Sequence, residues 1–258
     1  MVTGAARGIG RALATAFHAE GARVALVDLD QADLHALAQD LNGTRTDSAM
    51  AVPADLSTEA ANGAAIDAVV DVWGDIDLFF ANAGIAVGTD LTTDETTWNK
   101  AFAINLHAHR WAAKRLMPRW LERGDGYFCS TASAAGLLSQ IGSAPYTLTK
   151  HGALAFAEWL SITYGNRGLK VSCLCPQGVN TAMLHQADDF GRGANVVKAA
   201  GAVIEPEDVA REVVQAVDEE RFLVLPHPEV AEYTKAKASD RERWIGGMRR
   251  LQLKVYGY

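Results

Sequence analysis

Thr3-Gly4-Ala5-Ala6-Arg7-Gly8-Ile9-Gly10 is a glycine-rich turn, and an Ala/Leu-rich segment, Arg11 to Glu20, follows it directly. That segment reads as a helix ended by Gly21. Glycines let the backbone come close to a phosphate, and the helix N-terminus behind them offers amide donors and a positive dipole. Arg23 to Val27 (RVALV) then reads as a short strand, and Asp28 follows it, eighteen residues after Gly10. This is where a dinucleotide-binding unit sets a carboxylate against the adenosine ribose.

From Asp28 onward the pattern of strand, turn and helix recurs. Ala49 to Ala54 reads as a strand ending at Asp55, and Thr58 to Trp73 as a helix. Ile76 to Ala81 (IDLFFA) is a continuous apolar run, as expected of a parallel strand buried on both faces, and Asn82-Ala83-Gly84 closes it. Thr97 to Leu121 reads as one long helix carrying Asn105 among apolar neighbours, where a buried amide needs partners. Gly126 to Thr131 and Lys170 to Cys175 are further strands, the second closed by Pro176-Gln177-Gly178-Val179-Asn180-Thr181. The candidate residues therefore follow strands or begin helices, and ligands bind at the C-terminal edge of an open parallel sheet. Residues 183–205, weakly periodic and rich in Gly and Ala, read as a lid over that edge. Pro206 opens a helix, Phe222 to Leu225 reads as the last strand, and residues 226–258 form a charged tail. Trp244, Met248 and Leu251 recur in the tail at helical spacing, which leaves two packings open: on its own domain or on a neighbouring subunit.

The chemistry concentrates in Ser133 to Lys150, SAAGLLSQIGSAPYTLTK, with a serine thirteen residues before Tyr146 and a lysine four after it. Four residues make about one helical turn, so phenol and ammonium share a face. Ser143 reads as the cap of that helix and Pro145 lies in its first turn, where no amide donor is lost. An unperturbed phenol has a pKa of about 10, too high for good proton exchange near neutrality. The adjacent ammonium and the positive helix end are expected to lower it. Alone, the Tyr-x-x-x-Lys spacing reads as a surface pair, and the rest of the chain must decide.

With 258 residues, 49% hydrophobic and 21% charged, the chain is long enough to bury the core of one α/β domain. A formal net charge of −7 argues against a nucleic-acid or anionic-membrane surface, which needs clustered positive charge, and favours small-molecule partners. Cys129, Cys173 and Cys175 lie in apolar runs and read as reduced thiols of a cytoplasmic protein. No second Cys/His pair at ligand spacing accompanies them, so no metal site is expected. No apolar run reaches the roughly 20 residues of a membrane span.

Together, Thr3-Gly4-x-x-x-Gly8-x-Gly10, Asp28, Asp55, Asn82-Ala83-Gly84, Asn105, Ser133, Tyr146-x-x-x-Lys150 and Pro176 to Thr181 closely resemble the short-chain dehydrogenase/reductase family, over nearly the whole chain. The resemblance implies a single Rossmann-type α/β domain, a doubly wound parallel sheet with helices on both faces. It also implies hydride transfer between NAD(H) and a secondary alcohol or ketone. Tyr146 would be the acid/base, Lys150 would lower its pKa and hold the nicotinamide ribose, and Ser133 would hydrogen-bond the substrate oxygen. Asn105 would anchor a water relaying the proton to Lys150. Thr3, Gly4, Arg7, Gly8, Ile9 and Gly10 would hold the cofactor, Asp28 its adenosine ribose, and Asp55 with Leu56 its adenine. Asn82, Ala83 and Gly84 would line its path, and the loop from Pro176, through Val179 and Thr181, would bind the carboxamide. A homotetramer or homodimer is implied, with the helices bearing Asn105 and Tyr146 packed against their copies.

Asp28 would repel a 2′-phosphate and favours NAD over NADP, while Arg7 in the glycine turn pulls mildly the other way. The chain departs from the family pattern twice. Pro176-Gln177 stands where the family usually has Pro-Gly, which makes the carboxamide contact less secure. Only Met1 and Val2 precede the glycine motif, where a central strand of about five residues is expected, so that strand is short or truncated in this numbering. Leu137, Leu138 and Ile141, with Met183 and Leu184, point to an apolar pocket and a hydrophobic alcohol or ketone, or else serve only to pack the lid or an oligomer contact. An NADP-dependent carbonyl reductase and a non-catalytic NAD(H)-binding sensor are the alternative readings.

Overall fold

In the computed structural model, which describes residues 1–189, 197 and 201–257, the apolar runs pair into one parallel sheet. Its strands are β1 (Val2–Thr3), β2 (Val24–Asp28), β3 (Ala49–Pro53), β4 (Leu78–Ala81), β5 (Gly126–Thr131), β6 (Leu169–Leu174) and, last in the chain, β9 (Leu223–Val224). Between β6 and β9, the short strands β7 (Gly178–Val179) and β8 (Val203–Ile204) pair with each other. The spatial order is β3-β2-β1-β4-β5-β6-β9. Strand order thus runs outward in both directions from the β1/β4 seam, and the loops leaving those two strands diverge to opposite faces. A crevice opens there at the C-terminal edge.

Each face of the sheet carries its own core. Helices α1 (Gly8–Ala19), α2 (Gln31–Thr44) and Pro206–Asp218 bury Leu13, Leu34, Leu37, Val209 and Val213 against one face. Helices α3 (Glu59–Trp73), α5 (Ala108–Arg123) and α7 (Ala144–Tyr164) bury Ile66, Leu116, Trp120 and Leu160 against the other. The starts of α2, α3 and α7 are set locally, because Asp30 accepts from Asp33 N, Thr58 from Ala61 N and Ser143 from Tyr146 N. Among the described residues no helix is long and apolar enough to cross a membrane.

β1 is two residues long, and its register is unambiguous. Val2 and Thr3 pair with Leu26 and Val27, Val2 pairs with Phe80, and Phe80 N donates to Met1 O at 2.8 Å. The long helix expected over Thr97–Leu121 is interrupted. It is built from α4 (Glu95–Phe102), a π turn at Ala103–His107, and α5. Such turns are intrinsically less favourable than α-helix and persist where side chains hold them. Asn105, fully buried inside the turn, donates from Nδ2 to Ile85 O at 2.9 Å and accepts at Oδ1 from Ile85 N at 2.8 Å.

The tail forms helices Glu229–Ser239 and Arg241–Tyr256. Lys237 reaches back from it and donates to the carbonyls of Leu137 and Leu138 at 2.7 and 2.5 Å. These are the last carbonyls of a short helix, α6 (Ala134–Leu137), so the tail packs on its own chain beside Ser133.

Candidate active site

Thr3 ties the ends of β1 and β4 together. Its hydroxyl accepts from Asn82 N and Ala83 N at 2.9 and 3.0 Å and donates to Phe80 O at 3.2 Å. The Asn82 side chain extends the tie, donating to Thr3 O and accepting from the Thr131 hydroxyl of β5, each at 3.0 Å. Three strand ends are thereby fixed around the crevice. Gly4 and Gly8 adopt φ of +66° and +51°, and a Cβ on Gly10 would lie 1.9 Å from Gly4 O. The turn is therefore closed to side chains, and α1 begins at Gly8 with its amides facing the crevice.

A cleft of about 470 Å³ runs from Asp28 past the glycine turn to Ser133 and Tyr146. At the Asp28 end the carboxylate accepts from Ala6 N at 3.0 Å and Asp30 N at 3.1 Å. Arg7, also at this end, is drawn away by two acids: its guanidinium bonds Asp30 and, at 2.7 Å, Asp33.

At the other end Ser133 caps α6, accepting from Ala135 N at 3.1 Å, and lines the cleft together with Tyr146, on whose phenol its hydroxyl acts. Lys150 lies one turn further along α7, with Nζ 5.6 Å from the centre of the Tyr146 ring and donating to Thr131 O at 2.9 Å. Backbone packs directly on backbone where α6 crosses α7, since a Cβ on Gly136 would lie 2.6 Å from Lys150 O. Thr149 joins the set: its hydroxyl accepts from Asn105 Nδ2 at 3.2 Å. Asn105 Oδ1 and Lys150 Nζ also both face the bare side of Gly84, at 3.3 and 3.4 Å from where its Cβ would be.

The electrostatics correct one expectation. The phenol of Tyr146 is pushed up, because burial penalises phenolate more than the hydrogen bond from Ser133 favours it. Lys150 is itself buried, and loss of solvation pushes its ammonium down to about 8. The nearby cation therefore does not lower the phenol in this geometry. Its own proton is instead the one brought toward neutrality.

Most of the expected residues meet in the cleft: Gly4, Arg7, Gly8, Ile9, Gly10 and Asp28 at one end, Asn82, Ala83 and Gly84 in the middle, and Ser133, Tyr146, Lys150, Pro176, Val179, Thr181 and Met183 toward the other. Thr3 and Asn105 stand behind it as braces. Asp55 and Leu56 do not line it. The Asp55 carboxylate turns to Ser57 N at 3.0 Å, and Leu56 is buried in the core. Leu137 and Ile141 do not line it either. Leu137 turns its carbonyl to Lys237 and packs on the core, while Ile141 faces a shallower hollow beside Gln252 and Tyr256. Gln140 and Gly142 of that loop face the cleft instead, as do Ala86, Val87 and Thr89. Met183 and Leu184 come from α8 (Ala182–Asp189), and residues 190–196 and 198–200 of the expected lid lie outside the described residues.

A family model described as short chain dehydrogenase matches residues 1–190. The chain belongs to the short-chain dehydrogenase family. A relative, 1-deoxy-11-beta-hydroxypentalenate dehydrogenase of Streptomyces exfoliatus, is 36% identical over 231 residues, 87% of this chain and 81% of its own. A short-chain dehydrogenase/reductase of Burkholderia phymatum, solved in complex with NAD, superimposes with a TM-score of 0.85 at 26% identity, covering 93% of this chain and 92% of its own. A short-chain dehydrogenase of Sphingobium yanoikuyae, solved with NADPH, shares the fold with a TM-score of 0.80 at 24% identity, covering 95% and 94%. The protein is thus an oxidoreductase of the short-chain dehydrogenase type, for which a nicotinamide cofactor is the supported partner. Its own residues fit such a group. The glycine turn, where a Cβ at Gly10 would strike backbone, leaves the close approach that a pyrophosphate needs, and the amides of α1 face it.

One further buried group lies near the reacting end: His109, two residues from His107, a spacing that points the two rings apart on a helix. His109 is 1% exposed, its Nδ1 lies 3.0 Å from the Ser130 hydroxyl, and burial, with Lys150 adding repulsion, pushes its pKa down to about 3. Between pH 6.5 and about 3 the unfolded chain binds a proton at His109 that the folded protein refuses. Stability is therefore full above pH 6.5 and falls as pH drops through that window. His109→Asn is expected to flatten the acid limb by up to about 1.4 kcal/mol per pH unit. Urea titrations of both proteins from neutral to mildly acid pH check this, and parallel limbs would contradict it.

Proposed function

We propose that the protein interconverts a secondary alcohol and its ketone with NAD(H), with Asn105, Ser133, Tyr146 and Lys150 as the reacting and relaying set. The observation that carries this reading is that Ser133, Tyr146 and the buried Lys150 line the inner end of one cleft, with Lys150 one turn behind the phenol. When bound, the cofactor supplies the hydride acceptor or donor. Ser133 holds the substrate oxygen. Tyr146 takes the alcohol proton during oxidation and returns it during reduction. A phenol in a dry pocket is a poor base alone, so as it takes the alcohol proton it releases its own toward Lys150 in the neutral amine form, whose exchange burial has moved to about 8. Asn105 supports the far end of that route through a water.

Ala86, Val87, Met183 and Leu184 line the cleft around the reacting end, which favours an apolar substrate. Wild-type protein is expected to turn over apolar secondary alcohols faster than polyols, as followed by NADH absorbance. Tyr146→Phe should keep NAD⁺ binding while kcat falls by roughly 10²–10⁴-fold. Undiminished turnover by this variant would sink the mechanism.

NAD is preferred over NADP. Asp28 sits at the ribose end, and the Arg7 charge that a 2′-phosphate needs is already taken by Asp30 and Asp33. Exposed ion pairs add little to stability, so these acids matter here for where they hold the guanidinium. Asp30→Asn with Asp33→Asn should release Arg7 and improve NADP⁺ binding relative to NAD⁺ by roughly tenfold, read by titration calorimetry. An unchanged ratio would count against this role.

Leu148, Trp159 and Ile162 stand exposed along one side of α7, an apolar face that supports a homodimer or homotetramer. Sedimentation velocity at micromolar concentration should show an oligomer, and a monomer there would remove this reading.

A further inference from the structure

The loop from Pro176 to Thr181 forms one wall of the reacting end and is clamped on both sides. Pro176 O accepts from Ala134 N at 2.8 Å and from the Ser133 hydroxyl at 3.4 Å, which fastens the loop to the turn that carries Ser133. The next two peptide groups are held by a side chain fifty residues away: Gln177 N donates to His227 Nδ1 at 3.1 Å, and His227 Nε2 donates to Gly178 O at 3.0 Å. An amide nitrogen only donates and a carbonyl only accepts, so the imidazole carries its proton on Nε2. His227 lies between Pro226 and Pro228 after β9 and is 1% exposed. On its other side Gly178 is hemmed in, since a Cβ there would lie 3.1 Å from Ala202 O. The Gln177-Gly178 step therefore has one position, and its consequence is felt at Val179 and Thr181. Thr181 reaches the glycine turn, where its Cγ2 would lie 3.0 Å from a Cβ on Gly8.

We infer that His227 is a positioning residue for the nicotinamide end of the cofactor. Its imidazole fixes the backbone at Gln177 and Gly178, the point where this chain lacks the usual glycine, and so aims Val179 and Thr181 into the cleft. The inference rests on the dinucleotide reading given above. It separates the two ends of the cleft, because Asp28 takes its own hydrogen bonds from Ala6 and Asp30 and shares none with this loop.

Titration calorimetry with NAD⁺ and with ADP-ribose, which is NAD⁺ without its nicotinamide, tests this on wild type, His227→Phe and His227→Asn. His227→Phe keeps the ring volume and loses both hydrogen bonds. It should weaken NAD⁺ binding by roughly tenfold and leave ADP-ribose within about twofold. His227→Asn retains an acceptor for Gln177 N and should lose less. A general structural role would weaken both ligands alike, and that result, or no change for either in folded protein, overturns the inference. Should His227→Phe fail to fold, the same comparison on His227→Asn decides, a loss confined to NAD⁺ supporting the role and an equal loss removing it. Wild-type protein that binds neither ligand would instead overturn the cofactor reading itself.

Discussion

The Lys150 ammonium, with 3% of its residue surface exposed, imposes more on this fold than any other single group. A buried cation costs several kcal/mol unless dipoles meet it and part of its charge is given up. Both happen here. Thr131 O, at the end of β5, receives Nζ at 2.9 Å, and burial moves the group down to about 8. Room for the side chain then dictates its neighbours. Gly84 has no Cβ where one would crowd Nζ, and Gly136 has none where one would strike Lys150 O. The short helix α6 can settle on α7 only because of that second absence, and its cap is Ser133. The lysine, the serine and the strand end are thus one packing problem with one solution.

This bears on how a tyrosine can serve near neutrality in so dry a pocket. Ser133 favours phenolate, burial opposes it more strongly, and the net displacement is upward. A static cation beside the ring does not rescue the phenolate, since Nζ is turned to Thr131 O rather than to the phenol oxygen. The useful asymmetry is between the two groups. The phenol is raised from 10.0 while the ammonium is lowered from 10.5 to about 8, which draws apart two groups that nearly match in water: the phenol keeps its proton, and the lysine is the group that exchanges near neutrality.

Much of this was legible in the sequence because it rests on local spacing. A glycine turn before an Ala/Leu helix, an acid at the end of the next strand, and a tyrosine one turn from a lysine each fix geometry within a few residues. The structure keeps all three together in one cleft. What escaped depends on partners distant in the chain. The π turn at Asn105 is held by Ile85, twenty residues away, and nothing in the periodicity of Thr97–Leu121 announces it. Leu137 and Ile141 read as pocket lining from their apolar character, but the carbonyls of Leu137 and Leu138 are pulled toward Lys237, and the loop turns Gln140 and Gly142 inward instead. Arg7 is a cation whose meaning is set by two acids more than twenty residues on.

The tail makes the same point at larger scale. Read as sequence, residues 226–258 are a charged appendage whose apolar positions suit either its own domain or a second subunit. In the fold, two of its residues are buried at the walls of the reacting end. His227 holds the peptide groups of Gln177 and Gly178, and Lys237 holds the last carbonyls of α6. Between those two walls lie Ser133 and Tyr146. Neither contact requires a rare residue pattern, only a donor or acceptor brought to backbone that no ladder satisfies, and buried backbone of that kind must be satisfied by something. A segment that supplies those bonds from the end of the chain links the geometry of the cleft to completion of the whole fold. His227 follows β9 directly, so the strand that completes the sheet also places the side chain that fixes the backbone at Gln177 and Gly178.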